Sequence, residues 1–132
     1  MKKCVTLISS VLLSSAALIA PAFAAVDVED AMKDMSKSYR LVMKDADAAS
    51  LKKDLTTLRA AAVEAQSGVP GNMKKQAPDS TDRKTFAEGM KKLIAQIDVA
   101  IKLTDEGKVP EAKAEAAKLK DLMNEYHAKL GV

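Results

Sequence analysis

The chain has 132 residues, a formal charge of +3, one histidine, one cysteine, two phenylalanines and no tryptophan. That length suits one domain, and a charge so near balance lacks the basic footprint of a nucleic-acid-binding protein. A single cysteine cannot form an intrachain disulfide, so a core of Leu, Ile, Val, Met and Ala must hold the fold.

Lys2 and Lys3 precede an apolar run from Val5 to Ala20 that serines interrupt. The run is short for a membrane span and suited to the h-region of a secretory signal. Ala22-Phe23-Ala24 supplies a small-x-small cleavage site. This predicts a signal peptide over 1–24 and a mature domain over 25–132, placed in the periplasm and free of the membrane. Cys4 lies before the h-region, where a lipobox cysteine cannot be. Cleavage leaves 108 of the 132 residues, removes Cys4, and takes the charge from +3 to +1 with the loss of Lys2 and Lys3. No C-x-x-C-H exists in the chain, which excludes covalent c-type haem attachment.

Four segments of the mature chain place apolar residues at alternating spacings of four and three, one stripe of a helix in each case. The first carries Val28, Met32, Met35, Tyr39 and Val42, with Asp27 as its N-cap and Asp30 in its first turn. After a turn at Asp45-Ala46-Asp47, the second carries Leu51, Leu55, Leu58, Ala62 and Ala65. So short a connection makes the two helices antiparallel neighbours. Ser67 to Pro78 contains Gly68, Pro70, Gly71 and Pro78 and reads as a long loop too polar to join the core.

Ser80 then caps a third helix with Phe86, Met90, Leu93, Ile97 and Ala100 on its stripe, widened by Ile94 and Ile101 and ended by Gly107. Pro110 opens the fourth, where a missing N–H costs nothing. Ala112, Ala116, Leu119, Met123, Tyr126 and Leu130 continue its seam. The mean spacing is near 3.5, the period of a left-handed bundle. The predicted fold is all-α, an antiparallel up-down-up-down four-helix bundle.

In that topology the first and fourth helices are antiparallel neighbours. Met32 lies about five residues into the first and His127 about five from the chain end, so at 1.5 Å per residue both sit roughly 7 Å from the same end of the bundle. A lone histidine on a helix is ordinarily a solvated or core side chain, and methionine in a seam is ordinarily filler. Their matching depth gives them a joint reading as ligands. A thioether selects few partners, chiefly Cu(I) or a haem iron with histidine opposite. Two readings follow: a haem between the two helices, or a periplasmic copper(I) site built from Met32, Met35, Met123 and His127. In the haem reading, Met35, Phe86, Met90 and Met123 supply apolar cover. Asp30, Asp34, Asp121 and Glu125 flank the site as a solvated acidic face. No nucleophile-base constellation is visible, so the chain is not expected to be an enzyme.

Five stretches resemble the soluble cytochrome b562 family of periplasmic haem-b bundles. They are V-D-V-E-D-A-M ending at Met32, L-R-A-A-A-V-E-A-Q from Leu58, P-D-S at Pro78 to Ser80, Q-I-D-V-A-I-K-L-T-D-E-G-K-V from Gln96, and N-E-Y-H ending at His127. They span nearly the whole mature chain. Cytochrome b562 is itself a standard example of the up-down-up-down bundle, so the resemblance implies that architecture too. It further implies one non-covalent haem b per chain, ligated by Met32 and His127, and one-electron transfer as a monomer with unidentified redox partner proteins. Two positions depart from the family's pattern: Met123 stands where it has arginine near the haem, and Leu130-Gly131-Val132 lacks its aromatic and basic ending.

Overall fold

Three of the four helices open on a side-chain cap, and the last two close on a left-handed glycine. In a computed structural model that describes residues 25–132, α1 spans Val28–Lys44, α2 Ala48–Ser67, α3 Thr81–Asp105 and α4 Val109–Leu130. The signal peptide expected over 1–24 lies outside the described residues. The Asp27 carboxylate accepts the Asp30 N–H at 3.1 Å, Asp47 accepts that of Ser50 at 2.8 Å, and the Ser80 hydroxyl accepts that of Arg83 at 3.3 Å. Each cap satisfies a backbone donor that the first helical turn leaves without a partner. At the other ends, Gly107 (φ +73°) and Gly131 (φ +71°) adopt the left-handed conformation. Any other L-residue would resist that geometry.

No strand occurs among the described residues, and successive helices pack side by side as the expected up-down-up-down bundle. The half of the core nearest the α1–α2 and α3–α4 turns is its tightest part. Val42, Leu51, Leu55, Ile97 and Leu119 are fully buried there, with Ala100, Ala112 and Ala116 between them. Large residues on one helix facing alanines on the next let the axes approach closely, and each buried Leu or Ile contributes roughly 1.5–3 kcal/mol. Polar ties between helices lie outside this core. Arg59 clasps Asp98 across α2 and α3 at 2.6 and 3.2 Å, Gln96 donates to Glu115 across α3 and α4, and Lys113 donates to the Asp45 carbonyl at 2.7 Å. Exposed pairs of this kind add roughly 0–1 kcal/mol each and fix register more than stability.

The segment between α2 and α3 corrects the sequence reading. It contains a 3-10 turn, η1, at Gly71–Met73, and Met73 is only 2 % exposed within the core. A loop of mostly polar residues therefore contributes an apolar plug. Its backbone is tied down where the Gly71 N–H donates to Glu29 Oε1 of α1 at 3.0 Å. That bond also holds the Glu29 carboxyl below its ordinary value.

Candidate functional site

At the other end of the bundle, the core opens. Of the neighbouring pairs, α1 and α4 pack least closely. The result is a cleft of about 430 Å³ between α1, α3 and α4, with Pro70, Asn72 and Met73 of the loop lining it as well. That volume falls in the range of small-molecule sites, roughly 300–1,000 Å³.

All six residues singled out from sequence line this one cleft: Met32, Met35, Phe86, Met90, Met123 and His127. Met35, Phe86 and Met90 are buried at its depth, while Met32 and Met123 are half-buried nearer the opening. His127 is exposed, in the last turn of α4. Met32 is the fifth residue of α1, so the two stand within about 6 Å of the same end along their helix axes. Met123 and His127 are four residues apart on one face of α4, where side chains stack.

His127 has no hydrogen bond through its ring among the described residues, which leaves both nitrogens available. Its carbonyl accepts the Val132 N–H at 3.1 Å, closing the helix end. The negative pole of the α4 dipole there favours a cationic centre beside the imidazole.

Three features escaped the sequence reading. Tyr126, which also lines the cleft, donates its hydroxyl to Glu88 at 3.0 Å, and Lys129 and Lys92 stand 4.6 and 5.6 Å from its ring centre. The Lys92 ammonium, with help from the tyrosine, keeps the Glu88 carboxyl below its ordinary value. Gly89 packs directly under the Tyr126 ring: a Cβ there would lie 2.6 Å from Cδ1. An isolated glycine in a helical pattern was the available signal, since it usually has a packing reason. Met73 gave no such signal, because a lone apolar residue in a loop carries no period. The flanking acids are solvated as expected. Asp30 pairs with Lys33 and Glu125 with Lys129, each at 2.7 Å.

The cleft's chemistry suits a flat, largely apolar group carrying a metal. Its walls are thioethers, aliphatics and Phe86, and its one imidazole, His127 of α4, shares the lining with Met32 and Met35 of the neighbouring α1. Both donor types are haem-iron ligands. Among the described residues no three His, Cys, Asp or Glu side chains gather to hold a bare ion, and a single copper ion would leave most of 430 Å³ unfilled. Fold and cleft together define a cofactor-binding four-helix bundle with a thioether and an imidazole on facing helices.

The family model for cytochrome b562 matches residues 27–130, nearly all of the described chain. The chain belongs to the cytochrome b562 family, and with it to the haem-binding cytochromes. It is 41 % identical over 128 residues to the probable soluble cytochrome b562 2 of Yersinia pestis, covering 97 % of each chain. It is 28 % identical over 105 residues to the probable soluble cytochrome b562 1 of the same organism, covering 80 % of this chain and 83 % of that one. No helix among the described residues is long and apolar enough to cross a membrane.

Proposed function

We propose that this protein is a periplasmic one-electron carrier that holds one non-covalent haem b in the cleft, with Met32 and His127 as its axial pair. One observation carries the reading: the chain's only histidine and a methionine 95 residues earlier line a single apolar cleft from adjacent antiparallel helices. Bound haem supplies an iron that cycles between ferric and ferrous states. Met32 contributes a neutral soft donor that favours the reduced state, and His127 an imidazole that holds both states. Met35, Phe86, Met90 and Met123 cover the ring and exclude water, which disfavours the added charge of the oxidised centre. Met32 and His127 would together hold the iron and leave small ligands no free site, which suits electron transfer with redox partner proteins.

The purified periplasmic protein should show a sharp low-spin Soret band, and acidified organic solvent should strip the pigment completely. Met32→Ala should give a high-spin form that binds added cyanide, whereas His127→Ala should lose far more haem affinity. Met35→Ala and Met123→Ala should keep the low-spin spectrum. A colourless protein would refute the haem reading. A low-spin spectrum lost in Met35→Ala but kept in Met32→Ala would refute the ligand assignment alone.

A further inference from the structure

The cleft that would receive the haem contains no cation: its lining residues include neither Lys nor Arg. Haem carries two carboxylates, and an anion left against an apolar wall without a partner is costly. Beside the cleft, on the exposed side of α1, Glu29, Met32, Lys33, Ser36, Lys37 and Arg40 line a shallow, open groove. Glu29, Met32 and Ser36 line both, so the groove is the outward continuation of the cleft along α1.

The cations of this groove are unequal. Lys33 is engaged by Asp30 at 2.7 Å. Lys37 and Arg40 make no ion pair or side-chain hydrogen bond among the described residues. They stand three residues apart on one helix, with Lys33 and Lys44 four residues beyond on either side. Like charges at these spacings repel and destabilise a helix by a few tenths of a kcal/mol per pair unless an anion lies between them. The groove's one acid, Glu29, is turned to the loop, where its carboxylate accepts the Gly71 N–H.

We infer that Lys37 and Arg40 recognise the two carboxylates of the porphyrin, holding them along the α1 groove. This assignment rests on the haem reading above. It gives α1 two tasks, since Met32 would meet the iron and the next two turns would meet the carboxylates. An ammonium and a planar guanidinium both donate charge-assisted hydrogen bonds to carboxylates, and Arg40 does so in a two-pronged way.

The test reconstitutes the protein with ferric protoporphyrin IX or with its dimethyl ester, which lacks the two charges. The readout is the rate at which each porphyrin passes to excess apomyoglobin. In the wild type the diacid should leave more slowly than the diester. The double variant Lys37→Gln/Arg40→Gln should release the diacid on the order of tenfold faster, the scale of two solvent-exposed pairs, and release the diester at the wild-type rate. Lys37→Arg/Arg40→Lys should restore slow release. Lys44→Gln, which removes one charge outside the groove, should leave both rates unchanged. Equal acceleration of diacid and diester would overturn the assignment, as would no acceleration or an equal effect of Lys44→Gln. A wild-type protein that captures neither porphyrin would instead overturn the haem reading itself.

Discussion

Gly89→Ala separates the packing described here from any account based on helix propensity. Gly89 lies inside α3, where alanine is normally the better helix former by about 1 kcal/mol. Propensity alone thus predicts a stabilised protein. The added Cβ, however, would meet Tyr126 Cδ1 at 2.6 Å, Cγ at 2.7 Å and Cε1 at 3.2 Å. Carbon atoms reach their optimal separation near 3.5–4.0 Å, so α3 and the ring must part by roughly 0.9 Å. The ring cannot swing aside cheaply, since its near edge is at fault and its far end is bonded to Glu88. Overpacking of this kind costs roughly 1–3 kcal/mol. At the upper end, less the propensity gain, the net loss is about 2 kcal/mol, a fall in Tm of roughly 10 °C for a domain of this size. Thermal melts of the haem-free protein followed by circular dichroism measure it. Gly89→Ala in a Tyr126→Leu background should regain much of the loss, a coupling that a double-mutant cycle reads directly. A Gly89→Ala protein that melts at or above the wild-type temperature would refute the reasoning.

Two further perturbations test other parts of the fold. Asp45 Oδ2 is buried without a partner, and burial followed by the neighbouring Asp54 carboxyl raises the Asp45 pKa above 3.8. A group raised on folding favours the native state below its unfolded pKa, and that contribution disappears as pH rises through the folded value. Asp45→Asn should therefore match the wild type near pH 3 and become the more stable protein toward neutrality, by under about 1 kcal/mol after solvent screening, as urea titrations across pH would show. Met73→Ala should cost roughly 2 kcal/mol or more, since Met73 is buried in the core, and chemical denaturation measures it; a loss under about 0.5 kcal/mol would refute that placement.

The helices were legible because their signals are local. Val28 to Val42, Leu51 to Ala65 and the later stripes repeat at helical spacing, while Asp27, Ser80, Gly107 and Pro110 mark ends through backbone chemistry that needs no distant partner. Short connections then leave few topologies, and depth along a helix is simple counting, so Met32 and His127 could be placed at one end of the bundle from the sequence. Tertiary structure alone decided that α1 and α4 part to form a cleft, that Met73 enters the core from a polar loop, that Gly89 exists to seat Tyr126, and that Glu29 turns to Gly71 and away from the cations of α1. Each of these depends on atoms brought together from positions far apart in the chain, where neither period nor propensity carries information. A stripe of residues tells which face of a helix is buried; the volume left between two such faces depends on how both fill it.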